Sequence, residues 1–126
     1  DMPALNRVQL IGNLGKDPES RFTPKGRKYC RFTLAVNRHW KSEDGEGKEH
    51  TEWFNIEAWD RLGEICQEYL HKGSLVFLEG RLQTDRYEHD GEPRYITKVV
   101  LQSMQMLDRK SGDEEEAPLE ETELPE

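Results

Sequence analysis

A mostly-β fold with one short helix is predicted by three features of this chain. Several stretches alternate apolar and polar residues with a period of two, the pattern of a half-buried strand. One stretch near the middle, "DRLGEICQEYLHKG", repeats its apolar residues at helical spacing instead. Turn-forming residues punctuate the runs. The elements read β-β-β-α-β-β, with a glycine in the middle of a long fourth strand, and that order fits a five-stranded OB barrel. An SH3-like barrel is the nearest competitor, but it lacks a three-turn amphipathic helix at this place.

The first strand is "NRVQLI", residues 6–11, with Val8 and Leu10 inward and Gly12 just after it. "GKDPES" and "TPKGRK" read as turns. The second strand, residues 29–38, places Cys30, Phe32, Leu34 and Val36 on one face, and Trp40 is expected just past its end. "KSEDGEGKEH" is a charged loop or hairpin tip containing Asp44-Gly45. The third strand is "TEWFNIEAW", residues 51–59. In the helix, Leu62, Ile65, Cys66, Tyr69 and Leu70 form one apolar stripe, Asp60 is the predicted N-cap, and Gly73 is the predicted residue after the C-cap. "SLVFLEGRLQTDRYEH" is the fourth strand, bent or bulged at Gly80. Asp90-Gly91 predicts a hairpin turn into the last strand, "RYITKVVLQSMQML".

From Arg109 onward the periodicity stops. Residues 1–108 are thus predicted to form one domain and 109–126 a disordered acidic tail. A net charge of −8 taken alone argues against nucleic-acid binding, yet its placement reverses that. All 18 Lys and Arg lie at or before residue 110, with 18 of the 26 acids, so the body is neutral and 111–126 holds the whole excess. A neutral body presents a basic groove wherever its charges segregate. No apolar run approaches the ~20 residues of a membrane span. "DMPALNRVQL" lacks the basic start and long apolar stretch of a signal peptide. Cys30 and Cys66 form no disulfide framework and are expected as buried thiols, which suits a reducing cytosol.

The third strand carries the functional clue. Its even positions Phe54, Ile56 and Ala58 are a ready-made core face. Its odd positions Thr51, Trp53, Asn55, Glu57 and Trp59 are polar except for the two largest side chains in the strand. On an OB barrel this region is where ligands bind, and Trp40 and Tyr87 lie near it. Single strands are held there by base stacking on aromatics, each stack contributing on the order of 1–3 kcal/mol. Trp53 and Trp59 would lie roughly 20 Å apart, which suits separate bases. A protein–protein interface is the competing explanation for exposed rings. Arg38 and Lys41 flank Trp40, Arg61 follows Trp59, and Arg86 precedes Tyr87. Arg7, Arg21, Lys72 and Arg81 extend the candidate phosphate track, and binding through it would be salt-dependent.

"NRVQLIGNLGKDPESRFTPKG", "FTLAVNRHW", "TEWFNIEAWDRLGEICQEYLHKGSLVFLEGRLQT" and "RYITKVVLQSMQML" together resemble the bacterial single-stranded DNA-binding protein family over about residues 5–108. "GNLGKDPE", "TEW", "YLHKGS" and "EGRLQT" are its hallmarks in combination. The resemblance implies a cytoplasmic protein of the bacterial nucleoid, a homotetramer of OB folds that wraps single-stranded DNA in replication, recombination and repair. It also places the family's stacking aromatics on Trp40, Trp53, Trp59 and Tyr87. The family's acidic tail ends in a peptide resembling Asp-Ile-Pro-Phe that docks on replication and repair proteins. Here Glu123, Leu124, Pro125 and Glu126 stand at that place, with Glu126 where the terminal Phe is expected. Further departures are a short linker, a 41–50 loop with two lysines against four acids, and Asn55 where relatives often have an arginine.

An enzyme is not expected, and no cofactor or metal. His39, His50, His71 and His89 are scattered without ligand spacing, and no nucleophile–base set assembles. An RNA-preferring or primosomal relative and a protein-interaction module are the remaining readings.

Overall fold

The alternating stretches form strands β1 (Val8–Leu14), β2 (Glu19–Phe22), β3 (Lys28–Lys41), β4 (Gly47–Trp59), β5 (Leu75–His89) and β6 (Glu92–Met106), with helix α1 (Asp60–Tyr69) between β4 and β5. The computed structural model describes residues 2–108; the predicted tail, with Glu123 to Glu126, lies outside them. β1 pairs antiparallel with β5, β5 with β6, and β3 with both β4 and β1. A short parallel contact, Ile56–Val99 and Glu57–Val100, joins β4 to β6 and closes the ring. These five strands are the predicted OB barrel.

The period-two reading places the core correctly. Cys30, Phe32 and Leu34 of β3 and Ile56 and Ala58 of β4 are all buried inside the ring, with Val76, Leu78, Val99, Leu101 and Met104. Burying a large apolar side chain contributes about 1.5–3 kcal/mol, so this layer dominates the fold's stability. Helix α1 plugs one end through Ile65 and Cys66, followed by Leu70. Burial holds the Cys30 thiol up at about 11 and raises Cys66 further, so neither is a reactive thiolate.

Gly80 is the predicted irregularity. The β5–β6 register shifts between Glu79 and Gly80, and a Cβ at Gly80 would lie 2.3 Å from the Val100 carbonyl oxygen. Beyond it β5 and β6 run on as a two-stranded arm to Asp90-Gly91, whose φ values of 55° and 79° are those of a type I′ turn. A second arm extends β3 and β4 to a tight turn at Ser42–Glu46, closed by Ser42 N–H to Glu46 O at 3.0 Å.

Several boundaries differ from expectation. β1 continues through Gly12 to Leu14, because Gly12 and Asn13 pair with β5 while Asn13 and Leu14 also pair with β3. Trp40 lies within β3, since its pairing with Lys48 carries the ladder out to the turn. "GKDPES" and "TPKGRK" are not merely turns: Glu19–Phe22 pairs with Lys28–Arg31 as a hairpin on the edge of β3. Asp60 is not the N-cap. Trp59 holds that position without a side-chain cap, while Asp60 has a φ of 53° and its carboxylate goes to Arg27. The helix stops because Leu70 turns extended, at φ −101° and ψ 151°, so Gly73 is not the residue after the C-cap. Gly73 serves instead in the following turn, where Ser74 N–H reaches His71 O at 2.9 Å. Tyr69, predicted on the buried stripe, is exposed at the last position of the helix, whereas Leu70 just beyond it is buried. Among the described residues no helix is long and apolar enough to cross a membrane.

Candidate nucleic-acid interface

The β3–β4 register sorts their side chains onto two faces. One face continues the core, through Leu34–Phe54 to Arg38–His50 and Trp40–Lys48 along the arm. The other points outward and holds Ala35–Trp53, Thr33–Asn55, Arg31–Glu57 and Tyr29–Trp59. The Glu57–Val100 pair carries that outward face onto β6. From there Gln83–Lys98 and Tyr87–Arg94 carry it onto β5. Trp53, Trp59 and Tyr87 therefore share one sheet face, and Trp40 has the opposite parity near the tip of the arm. Two-stranded ribbons twist strongly, so parity fixes the face of the ribbon and not the final direction of the Trp40 ring.

The four rings differ in freedom. Trp53 is 57% exposed. Its ring edge rests over Gly15, where a Cβ would lie 2.6 Å from Trp53 Cζ3, so only glycine admits the ring. Gly15 is itself held by its N–H to the Thr33 carbonyl at 2.9 Å. Tyr87 and Trp40 are also exposed, with the Arg38 guanidinium 4.7 Å over the Trp40 ring. Trp59 is half-buried. Tyr29 stacks on it at 4.5 Å and 23°, Arg27 lies 4.5 Å from its centroid, and its Nε1–H donates to Glu57 Oε1 at 2.9 Å.

A polar row crosses the sheet beside Trp59. Glu57 is only 7% exposed. Its second oxygen accepts from Lys98 Nζ at 2.8 Å, and Lys98 also reaches Asp85 at 2.6 Å. Gln83 Nε2 donates to Asp85 at 3.0 Å and Arg81 donates to Gln83 Oε1 at 2.9 Å. Burial pulls the Lys98 pKa down, but the bonds to Asp85 and Glu57 outweigh it and the net shift is upward. Lys98, then Gln83, hold the Asp85 carboxyl below its ordinary value. The Lys98 contribution to stability is therefore whole below the ordinary lysine pKa and fades as pH rises past the raised one. The Asp85 contribution is whole above the ordinary aspartate range and fades as pH falls through the depressed value. Both are intact at neutral pH.

The candidate phosphate contacts divide into two groups. Arg7 pairs with Glu79 at 2.9 Å, Arg21 with Glu19 at 2.9 Å, Arg61 with Glu64 at 3.7 Å and Arg86 with Glu88 at 3.4 Å. Exposed pairs of this kind contribute about 0–1 kcal/mol, so they hold these cations only weakly. Arg38, Lys41 and Lys72 carry no ion pair among the described residues. A cleft of about 760 Å³ opens between Arg27, Trp59, Asp60 and Arg61 on one side and Arg81, Gln83 and Lys98 on the other. Among the described residues no group of three His, Cys, Asp or Glu side chains could hold a metal.

An exposed aromatic sheet face on an OB barrel occurs in many proteins, but comparison of the chain with protein families is decisive. Residues 5–107 match the model of the single-strand binding protein family. The chain belongs to that family. Single-stranded DNA-binding protein 1 of Chlorobaculum tepidum is 46% identical over 110 residues, covering 86% of this chain and 68% of the relative. The single-stranded DNA-binding protein of Neisseria meningitidis is 43% identical over 119 residues, covering 94% of this chain and 68% of the relative. A Plasmodium falciparum SSB, solved in complex with ssDNA, superposes with a TM-score of 0.77 at 30% identity, over 86% of this chain and 99% of that one. Membership in the single-strand binding protein family makes this a binding protein and not an enzyme.

Within that family frame, the structure brings Trp53, Trp59 and Tyr87 to one face and leaves Trp40 on an arm. Arg61 and Arg81 line the cleft beside Trp59. Arg27 and Tyr29, which sequence reasoning passed over, sit against Trp59 because the small hairpin at Thr23–Arg27 folds toward the start of α1. Lys98 and Glu57 were likewise missed. Their pairing spans 41 residues and has no local pattern. Tyr95, 65% exposed opposite Arg86, is a further ring on the β5–β6 arm.

Proposed function

We propose that this chain binds single-stranded DNA without sequence preference. Bases stack on Trp53, Trp40, Tyr87 and Trp59, and phosphates are drawn to Arg38, Lys41 and Lys72 and to the weakly paired Arg7, Arg21, Arg61 and Arg86. The observation that carries this reading is Trp53: a tryptophan more than half exposed on a polar strand face, with only Ala35 opposite it. A base plane needs such an open ring beside it, and a ring serving only to cover the core would not stand there. The names of the relatives point the same way. The proposal extends to roles in replication, recombination and repair and to a homotetramer. Ile11 and Phe22, 55% and 65% exposed, are apolar side chains that subunit contacts would cover. The acidic segment after residue 110 is proposed to recruit partner proteins, and in their absence to compete with DNA for basic side chains.

Intrinsic tryptophan fluorescence tests the central claim. Oligo-dT should quench strongly, duplex DNA weakly, and the affinity should fall as salt rises. Oligo-U in the same titration reports on RNA. Absence of quenching by every nucleic acid would assign the rings to a protein interface. Removing 111–126 should raise affinity at low salt and have less effect at high salt, since the competition is electrostatic. An unchanged low-salt affinity would count against the competing tail.

A further inference from the structure

Trp59 differs from Trp53 in being covered by a cation that is itself tied down. Arg27, in the turn that joins β2 to β3, lies 4.5 Å from the Trp59 ring centroid. Asp60 grips that guanidinium in a fork: Nε to Oδ1 at 3.1 Å, Nε to Oδ2 at 3.2 Å and Nη2 to Oδ2 at 2.7 Å. The backbone of Asp60 sits at φ 53°, a conformation that few residue types other than glycine, asparagine and aspartate adopt readily. The carboxylate is therefore presented to Arg27 from an unusual position just after Trp59. Both side chains are more than half exposed, at 58% and 56%. The pair is consequently screened by salt and easily exchanged. It lies at the edge of the cleft of about 760 Å³ that Trp59 lines.

We propose that Arg27 and Asp60 form an exchangeable latch over Trp59. In the free protein the carboxylate holds the guanidinium across the ring. A phosphate of a bound single strand takes the guanidinium from the carboxylate, and the ring opens to the adjoining base. The chemistry favours this partner: a guanidinium fork that fits a carboxylate with two parallel bonds fits a phosphate in the same way. The exchange leaves Asp60 ionised and unpaired beside the strand, so the latch opposes binding, most strongly at low salt. This inference rests on the single-strand reading above and adds Arg27 and Asp60 to its site.

The test is a double-mutant cycle on oligo-dT affinity, read by fluorescence quenching at low and high salt. Asp60→Asn keeps a residue suited to the left-handed backbone and removes the charge. It is expected to tighten binding about two- to fivefold at low salt, with the gain shrinking as salt rises. Arg27→Ala is expected to weaken binding and flatten the salt dependence by about 0.7 in the logarithmic slope, one phosphate contact on a single strand. In the Arg27→Ala background, Asp60→Asn should gain less than in the unaltered chain, because only the repulsion between Asp60 and the strand is then removed. A gain of equal size in that background means simple removal of a negative charge and overturns the latch, as does no gain at all in the single variant. Asp60→Gly, which also suits this φ, replaces Asp60→Asn if that variant folds poorly. Failure of the unaltered chain to bind oligo-dT would overturn the single-strand reading itself, whereas normal binding with no Arg27–Asp60 coupling would overturn only the latch.

Discussion

Replacing Trp53 with alanine is expected to weaken oligo-dT binding by about 1–3 kcal/mol, roughly five- to 150-fold in Kd. The fold should survive, because the ring is more than half exposed and what it loses is its contact over Gly15; a modest destabilisation of about 1 kcal/mol is expected. The opposite position on β3 is Ala35, a single methyl, so nothing on that strand shields the ring from an incoming base. Trp53→Phe should recover much of the loss, since a smaller plane still stacks. Gly15 gives an independent handle on the same ring. A Cβ there would lie 2.6 Å from Trp53 Cζ3 and 2.7 Å from Thr33 Oγ1, so Gly15→Ala crowds the ring in its seat, along with the Thr33 hydroxyl, without deleting an aromatic atom. It should weaken binding in the same direction. Normal affinity of Trp53→Ala at fixed salt would sink the stacking role of this face. Trp59→Ala is a different experiment. It also removes the stack on Tyr29 and the bond to Glu57, so a drop in melting temperature should accompany its loss of affinity.

The barrel was legible in the sequence because each of its strands has a continuous face to bury. Cys30, Phe32 and Leu34, then Phe54, Ile56 and Ala58, alternate without a break, and Gly80 marks the bulge by the absence of a side chain. β2 was not legible for the converse reason. Its four residues, Glu19 to Phe22, are all exposed, so no face selects them and only the pairing with β3 makes them a strand. The helix boundaries failed because residue type was read without backbone conformation. Aspartate is a common N-cap, but Asp60 at φ 53° presents its carboxylate to Arg27.

The candidate site was legible in its exposed rings and opaque in their surroundings. An apolar ring at an outward parity stands out against polar neighbours, which is why Trp53 and Trp59 could be singled out from "TEWFNIEAW". What lies beside each ring depends on cross-strand register. Tyr29 meets Trp59 across 30 positions of chain, and nothing local to either residue announces the other. The same limit hid the parity of Trp40. Its strand runs further than its apolar pattern does, so placing it required knowing where the hairpin turns.

Lys98→Met is expected to lower stability by about 3 kcal/mol, toward the lower end of the range for breaking a buried ion pair, because both partners keep some exposure. Their side chains are 16% and 10% exposed. Without the ammonium, Glu57 keeps only the Trp59 Nε1–H as a described side-chain donor. A carboxylate so enclosed is then left buried without its charge partner. Asp85 loses a partner too, but it is exposed enough for water to replace it. For a domain of this size the cost should appear as a fall in melting temperature of roughly 10–25 °C. The double variant Lys98→Met with Glu57→Gln separates the causes. It removes both charges and keeps an oxygen to accept from Trp59, so most of the loss should return if the unpaired carboxylate is its source. Melting of Lys98→Met within about 2 °C of the unaltered chain would mean that Glu57 reaches water without the lysine. The same pair of variants bears on the proposed function. Glu57 holds Trp59 by its indole N–H, so a stable double variant with normal oligo-dT affinity would show that the ring's placement does not depend on the charges behind it.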